Sequence, residues 1–416
     1  MLTCAFVALA LSAPAAEDIP APSSPGWHVS PFDLAKGDFD LGLKGYVQED
    51  LKSYPNWDAN PVYRDPRSSL RRVRIGIEGG WRRLSFDIEG DPHDDAEHLK
   101  NAYVELKLSS ALHVRAGNFK LPVSTERLMS EAHTDFVERS GPASRFGPDR
   151  DWGAVLSGRW HKRLSYEAGV FEGDGRQNAE RADTTGAGRV VMSVRPGLDV
   201  AAGFAQGHVT ADPEVDGVEA KPKGFDGKSP SGFRFYPRHF VNGRRRRLDA
   251  DATWRRGPAS LGAEFLQQRE ERRGQGTTCQ GELGQGCDDL PELIGNGWVV
   301  QGTWLLTGEK KQRSIHPAHP FFHGPGAIEL AVRYDALRFG EAGSSTGFQG
   351  AGSRTRNLRP GGNDVLTGGL SWWPEQWLRL LGNVAMEHYR DPVFAPVPGR
   401  TGHYLSLLAR LQLEIP

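Results

Sequence analysis

"AIELAVRYD", residues 327–335, sets Ile328, Leu330, Val332 and Tyr334 on one side of an extended chain and Glu329, Arg333 and Asp335 on the other. Successive side chains of a strand point to opposite faces, so this segment has one apolar and one charged face. A soluble sheet turns the apolar face to a core, whereas a membrane-spanning sheet turns it to lipid. One strand cannot separate these readings, but the same period recurs along the chain. Leu41, Leu43 and Val47 oppose Lys44, Tyr46 and Gln48; Val73, Ile75 and Ile77 oppose Arg72, Arg74 and Gly76. Near the end, Leu405, Leu407, Ala409, Leu411 and Leu413 oppose Tyr404, Ser406, Arg410 and Gln412.

Roughly sixteen such segments can be counted. They start near residues 41, 70, 81, 102, 112, 152, 164, 187, 198, 247, 259, 297, 327, 363, 376 and 402. Their connections alternate long and short, the short ones falling at "GG" (79–80), "SSA" (109–111), "HKR" (161–163), "RPG" (195–197), "RGPA" (256–259) and "PEQ" (374–376). Long loops at one end and tight turns at the other describe an outer-membrane barrel. Residues 308–325 are the exception, a long connection at the tight-turn end. Trp81, Trp160, Trp254, Trp304, Trp372, Trp373 and Trp377 all adjoin that end, as an interfacial aromatic girdle would. Unpaired backbone groups cannot face hydrocarbon, so the sheet must close on itself. The expected fold is all-β, a transmembrane antiparallel β-barrel of about 16 strands. The alternative is a water-soluble two-sheet sandwich, whose loops would have no reason to sort by length.

Composition fits many turns better than long helices, with Gly at 51 residues and Met at 4. The first residues, "MLTCAFVALALSAPAA", form a short apolar core followed by small residues, as in a secretory signal. The expected organisation is a signal peptide over 1–16, an N-terminal periplasmic segment over 17–40 and an outer-membrane β-barrel over 41–416. Lys and Arg total 51 against 52 Asp and Glu, so any charge selectivity comes from the placement of charges. Export predicts that Cys279 and Cys287, which bracket a short polar loop, form a disulfide.

Between the strand ending near Lys120 and the one starting near Trp152, about thirty mostly polar residues intervene, beginning "LPVSTERLMSEAHTDFVERS" (121–140). This segment with its preceding "GNFK" (117–120), "GVFEGDGRQN" (169–178), "VVQGTWLLTGEKK" (299–311), "GAIELAVRYDAL" (326–337) and "GGLSWWPEQWLRLLGNV" (368–384) together resemble the phosphate-selective porin O and P family. The resemblance implies a sixteen-stranded, trimeric outer-membrane channel passing phosphate and related anions passively. It implies that the third external loop folds inward and narrows the pore, and that the long connection at 308–325 belongs to the pattern. The chain departs from such barrels in ending "LQLEIP" instead of in Phe.

An anion that sheds water in a narrow pore needs cationic donors, Arg as a planar fork and Lys as a point charge. Strand parity selects Lys44, Arg72, Arg74, Arg83, Arg115, Arg159, Arg189 and Arg333 as lumen candidates. The long insertion adds Lys120, Arg127, Arg139, Arg145 and Arg150, with Lys120 matching the family's Asn-Phe-Lys-Leu-Pro segment. Arg71 and Arg82 have the opposite parity and are expected at the interface. Glu126, Glu131 and Glu138 are expected to fasten the insertion to wall arginines, and Asp87, Glu105 and Glu167 to be available as partners of strand arginines. "RRRR" (244–247) reads as a solvated loop end, "HPAHPFFH" (316–323) as no metal site, and "DPHDDAEH" (91–98) as an ordinary acidic loop. No cofactor, metal, catalytic residue or nucleic-acid partner is expected; the expected partners are inorganic phosphate or other small anions, outer-membrane lipid and lipopolysaccharide, and two further copies of the chain. A general or carbohydrate-selective porin is the runner-up, with Tyr46, Tyr103 and Tyr166 as its aromatic rails.

Overall fold

The computed structural model describes residues 28–29, 33–57, 66–94, 98–173, 175, 184–211, 221–279, 287–342, 354, 356–397, 399–400 and 402–415. Among them, sixteen long strands form the wall: β1 Phe39–Ser53, β2 Arg67–Trp81, β3 Leu84–Gly90, β4 Leu99–Ser109, β5 Leu112–Lys120, β6 Arg150–Trp160, β7 Leu164–Glu172 and β8 Thr185–Arg195. The second half is β9 Leu198–Val209, β10 Gly243–Arg256, β11 Ala259–Arg272, β12 Leu290–Leu305, β13 Ala327–Glu341, β14 Gly361–Glu375, β15 Leu378–Tyr389 and β16 His403–Glu414. Each pairs antiparallel with the next, and β16 closes on β1, with Leu407 opposite Ser53 and Glu414 opposite Tyr46. Closure leaves no wall edge unpaired.

Burial is inverted relative to a soluble protein. In β13, Leu330 and Val332 are 47% and 55% exposed, whereas Glu329, Arg333 and Asp335 are 1%, 2% and 1% exposed. A sandwich buries its apolar faces; this sheet buries its charged one. The outward apolar face therefore meets lipid, and the polar face is turned inward. Val332→Arg, near the middle of β13, is expected to lower unfolding free energy by about 2–4 kcal/mol, measured by denaturant titration in lipid vesicles.

The alternation of loop lengths holds, with one shift of register. The first tight turn is at Arg82–Arg83, and Gly79 and Gly80 lie within β2. Gly79 is there for close approach: a Cβ would sit 2.6 Å from the Asp40 carbonyl oxygen. Trp81, Trp160, Trp304 and Trp377 are exposed at the tight-turn end, and Trp254 and Trp372 are half-buried. Trp373 departs from the girdle. Facing inward, it is buried, with the Arg379 guanidinium 4.5 Å from its ring. Residues 1–16 lie outside the described residues; within 17–40, a ribbon of His28–Val29 and Asp33–Lys36 pairs onto the start of β1.

Residues 121–149 carry three short helical turns, each capped by a serine: Ser124 accepts from Arg127 N, Ser130 from Ala132 N and Ser140 from Ala143 N. The segment binds the polar faces of strands far apart in the wall. Ser124 N donates to Asp249 of β10, Val137 N to Asn383 of β15 and Gly141 N to Asp335 of β13. Arg379 of β15 and Gln412 of β16 donate to the Ala132 carbonyl. At the tight-turn end, Lys311 in the long β12–β13 connection reaches Asp135 at 2.6 Å and Glu329 at 2.5 Å.

A second segment, 221–242, was not singled out in the sequence. Phe225, Phe235 and Tyr236 are buried, Phe225 packs edge-on to Phe146 at 5.7 Å, and Tyr236 stacks on Phe339 at 4.7 Å. Its signal was visible in "GFDGKSPSGFRFYPRHF" (224–240), since aromatic rings at that density in a loop need a surface to cover.

Candidate functional site

Nearly every expected lumen cation faces inward, and nearly every one is engaged. Lys44 Nζ lies 2.7 Å from Asp87, and Arg115 lies 2.6 Å from Glu105 and 3.4 Å from Glu167 while covering the Tyr103 ring at 4.8 Å. Arg189 bonds Asp249, Asp251 and the Thr125 hydroxyl; Arg127 bonds Asp149; Arg145 bonds Asp226 at 3.1 Å. Arg150 donates to Asn101 at 2.9 Å and reaches Asp149 at 3.2 Å. Arg333 lies 3.2 Å from Asp335 and donates to the Glu138 carbonyl at 2.9 Å. Arg159 is exposed beside a tight turn. Of the tyrosines, Tyr46 is buried, Tyr103 lies under Arg115, and Tyr166 donates to the Ala111 carbonyl.

Three placements differ from expectation. Because the β2–β3 turn falls at 82–83, Arg83 lies in the turn and is exposed, outside the lumen. Arg71 reaches inward: the register slips by one so that Gln48 faces Arg72 and Glu49 faces Leu70, and the extra residue in this bulge lies 3.9 Å from Glu138. "RRRR" is the start of β10 and no loop end. Arg245 and Arg247 point inward to Glu270 and Gln268, and Arg244 and Arg246 pair with Glu271 and Glu292.

The acids of the 121–149 segment do fasten it. Glu138 meets Lys52 at 2.7 Å, and Glu126 meets Arg333 at 3.6 Å. Glu131 is the centre of the arrangement: Arg74 lies 3.0 Å away, Arg72 3.5 Å and Arg139 3.7 Å. Lys120 stands beside this group, its ammonium donating to the carbonyls of Met129 at 2.8 Å and Leu128 at 3.5 Å. Burial by itself would raise the Glu131 pKa. Arg72, Arg139, Arg74 and Lys120 outweigh it and hold the carboxyl well below its usual range. Asp149, between Arg127 and Arg150, is likewise brought down to about 2 against the opposing effect of burial. Arg74 is shared, because it also meets Glu89 at 3.0 Å and Asp91 at 3.0 Å.

Below this cluster, toward the tight-turn end, a cavity is lined by His133, Asp135, Lys311, Arg255 and Arg313. Arg255 and Arg313 have no carboxylate partner among the described residues. Neither was selected from sequence, because Arg255 adjoins a turn and Arg313 lies in a connection. His316, His319 and His323 do not converge into a ligand set among the described residues; the one group that does is Asp249, Asp251 and Glu264. In the 91–98 loop, Asp91 binds Arg74 at 3.0 Å and Asp94 binds Lys100 at 2.6 Å, while Asp95 lies outside the described residues. Cys279 and Cys287 are joined by a disulfide.

A family model described as phosphate-selective porin O and P matches residues 41–415. Among solved structures, the chain is similar to the outer-membrane protein OmpT of Vibrio cholerae at 10% identity, covering 92% of this chain and all of that one with a TM-score of 0.57. It is similar to an anion-selective porin from Comamonas acidovorans at 14% identity, covering 91% and 100%, TM-score 0.55. The outer-membrane channel DcaP of Acinetobacter baumannii is similar at 9% identity over 91% of this chain and 97% of that one, TM-score 0.55. Curated proteins include no significant sequence match.

Proposed function

The chain belongs to the phosphate-selective porin O and P family and is a porin of the bacterial outer membrane, and we propose that it passes phosphate or polyphosphate by passive, anion-selective diffusion along the Arg and Lys side chains of its lumen. The observation that carries this reading is the gathering of four cations, Arg72, Arg74, Arg139 and Lys120, around Glu131, with Arg74 shared with Glu89 and Asp91. Fixed guanidinium groups in a confined space favour an oxyanion that has shed part of its water. The 121–149 segment forms the narrow part of the path, since its bonds run to strands on distant parts of the wall. Arg255 and Arg313 supply a second, weaker site toward the tight-turn mouth, and successive moderate sites let an ion leave as well as enter. Residues 1–16 serve as the export leader, the tight turns face the periplasm, and three chains assemble, as in a solved OmpT form described as a trimer.

The test is planar-bilayer conductance across a potassium chloride gradient. The expected reversal potential has the sign of chloride permeation, and phosphate or pyrophosphate is expected to reduce chloride current while a neutral oligosaccharide leaves it unchanged. A cation-selective potential, or current blocked by the sugar and indifferent to phosphate, would replace this reading with that of a carbohydrate-selective porin.

A further inference from the structure

Asp249 and Asp251 stand two residues apart on β10, so both point inward, and Glu264 of β11 lies directly opposite Asp251 in the ladder. Like charges facing each other across a strand pair destabilise it unless something stands between them. The cation at hand is Arg189 of β8, which crosses β9 at Gly203, the residue paired with both Arg189 and Asp249. It bonds Asp249 and Asp251 but not Glu264. Glu126 nearby brings its own partner in Arg333. With all three carboxylates ionised, one guanidinium leaves two negative charges in a group whose members are 4%, 8% and 7% exposed.

The oxygens are placed to share an ion. One oxygen from each carboxylate lies within 4.8 Å of the others, and oxygens bound to one Ca²⁺ at about 2.3–2.6 Å are at most about 5 Å apart. Asp249 Oδ1 and Glu264 Oε1 are buried and have no hydrogen-bond partner. Buried acceptors left open in this way point to a ligand. Access exists, because Thr125, Glu126, Asp251 and Glu264 line the lumen cavity described above.

We propose that Asp249, Asp251 and Glu264 bind one hard divalent cation of the calcium class. Donors that are all oxygen select such an ion over softer metals, and its two charges match the two left by Arg189. It pins the start of the inserted segment to the wall, because Ser124 N donates to Asp249 and the Thr125 hydroxyl to Asp251. The binding claim stands apart from the anion preference of the pore.

The experiment uses the full barrel, refolded in a zwitterionic detergent free of lipopolysaccharide and stripped with EDTA, then titrated with Ca²⁺ and separately with Mg²⁺. One saturable Ca²⁺ per chain is expected, with affinity lowered about tenfold or more in Glu264→Gln and in Asp251→Asn. Added Ca²⁺ is also expected to raise the unfolding temperature of the unsubstituted protein and not of Glu264→Gln. Equal Ca²⁺ binding by Glu264→Gln would overturn the proposal, as would fewer than one ion per chain or a melt that responds to pH alone, which would assign the balance to protons. Should the variants not fold, the stoichiometry of the unsubstituted protein decides.

Discussion

Glu131→Gln is expected to lower the unfolding temperature of the purified barrel and to make that temperature rise more steeply on addition of phosphate than it does for the unsubstituted protein. Glu131 is the counter-charge on which Arg72, Arg74 and Arg139 converge. Arg74 keeps Glu89 and Asp91, but Arg72 and Arg139 lose the carboxylate they meet, a loss of at most about 3–5 kcal/mol. Phosphate can replace the lost negative charge beside the substituted side chain, because the guanidinium groups that held a carboxylate suit an oxyanion equally. Acid should act as the substitution does. A carboxyl whose pKa is depressed on folding stabilises the fold above its ordinary range, and this stability is lost as pH falls through the folded value. The part of the stability that rests on Glu131 should therefore decline as pH falls below the ordinary carboxylate range and be lost below the folded value, and Glu131→Gln should lose less on the same titration. A melting temperature and a phosphate response equal to those of the unsubstituted protein would remove Glu131 from the centre of the pathway.

The wall was readable from sequence because lipid imposes a strict alternation on every strand. Leu330 and Val332 against Glu329 and Arg333 is a pattern no other arrangement explains so simply, and it placed most strand starts closely; the largest misses follow long loops, where β12 begins at Leu290 instead of near 297 and β10 at Gly243 instead of near 247, and smaller errors fall at one tight turn and at bulges. Those exceptions arise where alternation stops carrying information. Gly79 and Gly80 look like a turn by residue type, yet they lie in β2 because two backbones approach there. Arg71 had the wrong parity until the bulge opposite Gln48 turned it inward. "RRRR" has no apolar member to reveal that it alternates in and out of a strand end. Loops obey no period at all, so Glu126, Glu131 and Glu138 could be given a role but not a partner. Arg145 is the same case: its carboxylate, Asp226, sits in another loop far along the chain.

Parity also could not say how far each cation is committed, and this decides the pore chemistry. Lys44, Arg115 and Arg189 each face the lumen but meet carboxylates there, so their charge is largely balanced where they stand. Cations that end on backbone carbonyls differ, because a carbonyl accepts a hydrogen bond without cancelling a full charge. Lys120 ends this way on Met129, whereas Arg139 divides its guanidinium between the Met129 carbonyl and Glu131 at 3.7 Å. In the proposed pathway, positive charge near the 121–149 segment then rests on Lys120 more than on the ladder of wall arginines.

Lys120→Glu follows as the sharper test. A unit charge about 8 Å from an ion path contributes about 2 kcal/mol at an effective dielectric constant of about 20, so inverting it should weaken phosphate block of chloride current more than tenfold. The new carboxylate would also face the carbonyls that the ammonium now binds and stand near Glu131, loosening the inserted segment and adding noise to the open channel. Lys120→Met separates the two effects: it removes charge and hydrogen bonds without introducing repulsion. Block is then expected to fall by an intermediate factor while current stays quiet. Retention of the heat-shifted gel mobility of a closed barrel shows that the wall still folds in both variants. If block is unchanged in both, the lysine serves only to hold the carbonyls of Leu128 and Met129, and the selecting charge lies with Arg139 and the arginines of β2.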